Sequence, residues 1–190
     1  MYHLSTPLDE GVLTLTVGDV VYLSGKVLTA RDDAHLKLIE HVKSGEHIPF
    51  EIKGAAIYHC GPLACYEDTD EWKVVSAGPT TSERMAKLTE TLLEEFDVRA
   101  LIGKGGMSTA GRLLEGRGVY LAFCGGCGAL AASHITRAKP HWMDELGMAE
   151  AVWELEVKEF GPLLVAVDSH GNDLYARIKE HSANVLTALF

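Results

Sequence analysis

Apolar and polar positions change rhythm several times along this chain. Between residues 11 and 29, Val12, Leu13, Leu15 and Val17 mix with Thr14 and Thr16. Gly18-Asp19 then leads into Val20, Val21, Tyr22 and Leu23, which predicts two β-segments. From Asp32 to Lys43 the apolar positions Ala34, Leu36, Leu38, Ile39 and Val42 suit a helix that Ser44-Gly45 closes. Four short apolar runs follow, each ending in glycine-rich sequence: Ala55–Tyr58 into HCGP, Trp72–Ala77 into GPTT, Ala100–Ile102 into GKGG, and Val119–Phe123 into CGGC. They read as strands whose ends carry loops that let a ligand approach the backbone. Helical spacing recurs from Thr81 to Phe96 through Met85, Leu88, Leu92 and Phe96, and over the shorter stretch Ser108 to Glu115. Ala151–Val157 and Leu163–Val167 predict two strands, Asp168–Asn172 a turn, and Asn172 to Phe190 a final helix. Alternating strands and helices make this an α/β protein, and such sheets bind ligands at the carboxyl ends of their strands.

Length and composition narrow the class. The 190 residues, 47% hydrophobic and 23% charged with a mean hydropathy of +0.06, fit one globular domain over residues 1–190. The longest apolar stretch, residues 119–132, is shorter than the roughly 20 residues of a membrane helix and is broken by glycines, so no membrane partner is expected. The formal net charge of −10 argues against nucleic acid, whose phosphates need a basic face. The start, MYHLSTPLDE, has no basic region followed by an apolar one, so a cytoplasmic protein is the expectation. Cys60, Cys65, Cys124 and Cys127 then read as thiols rather than a disulfide frame.

Three loops carry charge suited to an anion. In GPTTSERM, Thr80 and Glu83 have capping-box spacing, and Thr80 and Arg84 stand four apart near one face of a first helical turn. An arginine fork there would grip a carboxylate; the alternative is a capped surface helix whose Arg84 pairs with Glu83 or Glu90. In IGKGGM, three glycines around Lys104 allow an anion-binding nest, or simply a flexible turn; the spacing is not that of a P-loop. In LTARDDAH, Arg31 lies between a strand and a helix start, with Asp32 or Asp33 as the cap. Cys124 and Cys127 have the spacing of a metal or redox pair, but in the small-residue run FCGGCGALAA they read as packing residues, and Cys60-x4-Cys65 matches no ligand spacing. The nine histidines are scattered, with His59 and His170 in candidate loops, and most read as surface or packing residues.

The runs LSGKVLTARDDAH, YHCGP, SAGPTTSERM, IGKGGM and LEVKEFGPLLVAVDSHGNDLY, in this order, resemble the β subunit of class I fumarate hydratases, a family that includes the β subunit of L(+)-tartrate dehydratase. The likeness runs from about Leu13 to about Ile178. It implies a swivelling β/β/α domain, an open mixed sheet with flanking helices. It also implies a partner α subunit, in a dimer of αβ units, that holds a [4Fe–4S] cluster through its own three cysteines. By matching positions, Arg31, Arg84 and Lys104 would bind the substrate carboxylates and Thr80 would be the general base. The cluster would not be held by the cysteines of this chain. Where this sequence has CGGCGAL, the family usually has glycine and alanine. The activity implied is the interconversion of (S)-malate with fumarate and water. Tartrate dehydration and a non-catalytic carboxylate-binding module are the alternatives, and a cysteine-based zinc or redox protein is a third reading.

Overall fold

A computed structural model describes residues 1–66 and 71–189. Nine strands and six helices follow in chain order among them: β1 (Tyr2–Ser5), β2 (Val20–Thr29), α1 (Asp32–Ser44), β3 (Ala55–Tyr58), β4 (Leu63–Tyr66), β5 (Trp72–Ser76), α2 (Ala86–Glu95), β6 (Val98–Gly103), α3 (Ala110–Leu114), β7 (Val119–Ala122), α4 (Gly128–Ser133), β8 (Ile135–His141), α5 (Met143–Leu146), β9 (Val152–Val167) and α6 (Leu174–Leu189). The last residue of the expected terminal helix, Phe190, lies outside the described residues.

The central strands β2, β3, β6 and β7 run parallel and side by side. Parallel strands covered on both faces read as unbroken apolar runs, which is why these segments stand out in the sequence. Alternate residues serve two cores. Val27, Ala56, Tyr58, Ala100, Ile102, Val119 and Leu121 enter one cluster. Leu28, Ala55, Ile57, Leu101 and Tyr120 enter the other, where Ala34, Leu38, Leu92, Leu93, Leu113 and Leu114 of α1, α2 and α3 cover them.

The sheet is mixed, with helices against it, as expected, but it is not open throughout. β2 pairs with β1 and then β3 along one edge, and with β9 in antiparallel register along the other, from Val20↔Leu164 to Leu28↔Glu154. β9 also pairs with β7, so β2, β3, β6, β7 and β9 close into a ring.

Other expectations need correction. The predicted segment Val12–Val17 is a 3-10 turn over Glu10–Thr14, because Asp9 caps it through Gly11 N at 2.8 Å and the buried residues Val12 and Leu15 stand three apart. The two predicted late strands are one, β9, whose first half also pairs with β8 and whose second half pairs with β7. β5 is a strand but not a member of the main sheet; it forms a separate antiparallel hairpin with β4. No helix among the described residues is long and apolar enough to cross a membrane.

Candidate functional site

The four central strands end on one line, with Thr29 opposite Tyr58, Tyr58 opposite Ile102, and Ile102 opposite Leu121. Their loops therefore emerge together, and they carry Arg31, His59–Gly61, Lys104 and Cys124–Cys127. The loop after β5 returns to the same edge and fills the gap that opens where β3 and β6 separate. His59 N donates to Ile102 O at 2.8 Å, the last direct link between the two strands. Beyond it, Thr80 N donates to His59 O at 2.7 Å, Lys104 N to Thr80 O at 3.3 Å, and Ser82 N to Lys104 O at 3.1 Å. Thr80 and Lys104 are thus neighbours through main-chain bonds, in loops far apart in sequence.

The expected capping box does not form. Thr81 holds the N-cap position without a side-chain bond, and a 3-10 turn over Ser82–Met85 precedes α2. Glu83 instead accepts from Ser108 N and Oγ, both at 2.6 Å, which ties the GPTT loop to the GKGGM loop. Those bonds hold the Glu83 carboxyl below its ordinary range. Thr80 Oγ1 is left to accept from Arg84 Nη2 at 3.2 Å, and the same nitrogen donates to Asp32 Oδ2 at 2.9 Å. Arg84 therefore pairs with neither Glu83 nor Glu90. Its side chain is 49% exposed, and it bridges the start of α1 to the candidate base.

Arg31 precedes Asp32 and takes the N-cap position of α1, so neither aspartate caps that helix. Its guanidinium pairs with Glu150 at 3.1 Å, and its buried Nε has no partner among the described residues. The Arg31 side chain crosses Gly61 so closely that a methyl there would lie 2.7 Å from Nη1. The aliphatic end of Lys104 lies over Gly125, whose hypothetical Cβ would be 3.7 Å from Nζ. Among the described residues Lys104 makes no ion pair. The structure thus joins Thr80, Arg84 and Asp32 directly, Lys104 to Thr80 through the backbone, and Arg31 by its place beside Asp32. One concavity lies elsewhere, between Lys26, Arg137, Lys139, Glu154 and Glu156.

Sequence reading missed the layer beneath. His35 and His59 are wholly buried, with ring centroids 5.5 Å apart. His35 Nδ1 lies 2.7 Å from Arg31 O; a carbonyl only accepts, so Nδ1 carries the proton. His59 Nδ1 meets Ser82 Oγ at 2.8 Å, which in turn meets Tyr120 OH at 2.8 Å. Both Nε2 atoms lack partners among the described residues. Burial pushes the pKa of both rings down, that of His59 well down, and keeps them neutral. The two rings brace the main chain that carries Arg31 and Thr80. Single histidines have no spacing signature, so only the adjacency of His59 to a candidate loop hinted at this.

The cysteines divide by environment. Cys60 is buried, and burial pushes its thiol up to about 12 against the opposing pull of Arg31. Cys65 and Cys124 are exposed and Cys127 is half-buried, so a packing role does not describe Cys124. Among the described residues no three His, Cys, Asp or Glu side chains converge as metal ligands.

Residues 3–178 match the family model described as Fumarase C-terminus. A Methanocaldococcus jannaschii protein provisionally named L(+)-tartrate dehydratase subunit beta is 50% identical over 182 residues, covering 94% of this chain and 93% of that protein. The L(+)-tartrate dehydratase subunit beta of Escherichia coli strain K12 is 41% identical over 181 residues, covering 93% and 88%. A Geobacillus stearothermophilus protein provisionally named class I fumarate hydratase is 38% identical over 187 residues, which are 97% of this chain and 35% of that longer protein.

Proposed function

Because the chain belongs to the Fumarase C-terminus family, we propose that it is the β subunit of a hydro-lyase that removes water from a hydroxylated four-carbon dicarboxylate. Malate, in equilibrium with fumarate, is the first substrate of this reading. L(+)-tartrate is the second, favoured by the higher identity to relatives named tartrate dehydratase β subunits. The observation that carries the proposal is the bridge from Asp32 through Arg84 to Thr80 Oγ1, beside Lys104 at the ends of the parallel strands.

Arg31, Arg84 and Lys104 present three cations to a substrate carrying two carboxylates. Asp32 holds the Arg84 fork in place, so less freedom is lost when a carboxylate docks. Thr80 Oγ1 takes the proton from the carbon next to one carboxylate. The charge that develops there spreads onto that carboxylate, where fixed cations stabilise it. A threonine hydroxyl is a weak base in water; the adjacent Arg84 favours its deprotonated form. His35 and His59 stay neutral and position the two loops.

The proposal includes a partner α subunit bearing a [4Fe–4S] cluster, which supplies a Lewis acid for the departing hydroxyl when bound. The cysteines of this chain do not fit such a cluster, since no three of them converge among the described residues. The open setting of the cation group suits a site that a second subunit completes.

Anaerobic assay of malate and L(+)-tartrate dehydration with this chain, its partner and their mixture tests the reading. Activity is expected only in the mixture. Thr80→Ala should lower kcat by roughly 10²–10⁴-fold with KM little changed. Arg84→Ala should lower kcat/KM by about 10²-fold or more. Near-normal turnover of Thr80→Ala removes the base assignment, and silence of every mixture on both substrates removes the hydro-lyase reading.

A further inference from the structure

The loop after β7 is Cys124-Gly125-Gly126-Cys127, a tight turn with Gly126 at φ 83° that runs directly into α4. A four-residue turn keeps its first and last Cα atoms within about 7 Å, and a disulfide spans about 4.4–6.8 Å. Both thiols are free, Cys124 exposed and Cys127 half-buried.

This turn touches the candidate site on three sides. Gly125 lies under Lys104, with its hypothetical Cβ 3.4 Å from Cδ. The Gly128 carbonyl, one residue past Cys127, accepts from Ala77 N at 3.0 Å, and Gly128 Cα packs on Gly78, two residues before Thr80. Tyr175, near Cys124, lies against Gly106 of the GKGGM loop. A change in this turn therefore reaches the loops of both Lys104 and Thr80.

We propose that Cys124 and Cys127 are a reversible dithiol–disulfide pair whose oxidation disables the adjoining carboxylate site. The oxidant class is a low-molecular-weight disulfide of the glutathione type. The exposed Cys124 thiolate attacks it, forming a mixed disulfide and releasing one thiol. The Cys127 thiolate then attacks the Cys124 sulfur, closing the intramolecular bond and releasing the second thiol. Two electrons pass from the cysteine pair to the oxidant, and the two cysteine protons end on the released thiols. Cys60 is shielded by burial, and Cys65 sits on the β4–β5 hairpin. The disulfide itself stands independently of the hydro-lyase reading; its effect on turnover rests on that reading.

The test equilibrates the full chain in glutathione buffers of stepped potential, followed by alkylation and peptide mapping. The expected result is loss of two hydrogens, a linked Cys124–Cys127 peptide, and reversal by reductant. Hydrogen exchange over residues 76–82 and 104–108 should differ between the two forms. In the complex with the partner subunit, oxidation should cut turnover roughly 10–100-fold, and the C124S/C127S double variant should not respond to the oxidant. The proposal is overturned if no linked peptide forms at any potential. It is equally overturned if exchange in both segments is unchanged, or if the double variant loses activity as the native chain does. A reduced complex inactive on both substrates would instead count against the hydro-lyase reading, with the mapping and exchange results still deciding the disulfide.

Discussion

Gly61 shows how tightly one residue can be fixed by its neighbours. A methyl at this position would lie 2.5 Å from Ala149 O, 2.7 Å from Arg31 Nη1 and 2.8 Å from Arg31 Cδ. The backbone carbonyl cannot swing away, so the arginine must. Gly61→Ala should cost about 1–3 kcal/mol of stability by overpacking and should weaken dicarboxylate binding through the displaced Arg31. Urea unfolding and calorimetric titration check the two effects; an unchanged unfolding midpoint would show that the loop has slack. The buried histidines make a pH prediction. Both rings are held neutral, with native pKa values below the ordinary 6.5. The unfolded chain takes up protons below that value and the native one does not. The stability is therefore fully present above about pH 6.5 and falls as pH drops through the window beneath it, by up to about 1.4 kcal/mol per pH unit for each ring. Unfolding at pH 7.5 and 5.5 measures the slope, and His59→Gln should flatten it. A slope unaffected by His59→Gln would mean that other groups carry the pH dependence.

At the scale of elements, apolar runs revealed the strands that are covered on both faces. β3, β6 and β7 were legible because each is continuous and ends in glycine. β8 was not: ITRAKPH has one fully buried residue, holds Pro140, and pairs with β9 alone among the described strands. β1 and β4 escaped as well, since each is short and mainly exposed. The loops of Arg31, Thr80, Arg84 and Lys104 stand out by charge and glycine spacing, while the roles expected of these residues come from the family resemblance. Their supports, His35, Ser82 and Tyr120, were not, because burial and hydrogen bonding depend on segments distant in sequence. Asp168 belongs to this second kind. It reads as part of a turn, yet it is wholly buried and accepts from Val17 N, His170 N, Asn172 N and Asn172 Nδ2. Burial alone would raise its pKa, but these bonds outweigh it and hold the carboxyl below its ordinary value. The side chain thus fastens the loop before β2 to the turn between β9 and α6. Asp168→Ala should destabilise the fold by about 2–4 kcal/mol, because several part-buried donors lose a charged, buried acceptor together. Loss of less than about 1 kcal/mol in urea unfolding would show that water replaces the carboxylate.

The whole molecule divides into a closed ring that is densely paired and a last helix that is not. β2 is bonded along both edges, so the strands that carry the site loops belong to one closed unit. Near the start of α6, Leu174 and Tyr175 pack on the helix-side core and Tyr175 meets the Tyr120 ring at 6.3 Å. Farther along, Ile178, Val185 and Leu186 are 56%, 45% and 59% exposed. A short helix alone in water is marginal, so the outer turns of α6 contribute little to the stability of this chain. Truncation after Ile178 should change unfolding free energy by less than about 0.5 kcal/mol. Truncation before Leu174 should cost about 2–4 kcal/mol, because it uncovers Tyr120 and the glycine loop beside Lys104. Amide exchange gives the same contrast without mutation: fast over residues 179–187 and slow across β2 and β9. Equal protection in both regions would tie α6 to the domain along its length. If protection of the outer turns rises only when the partner subunit is added, that helix face is part of the contact between the two.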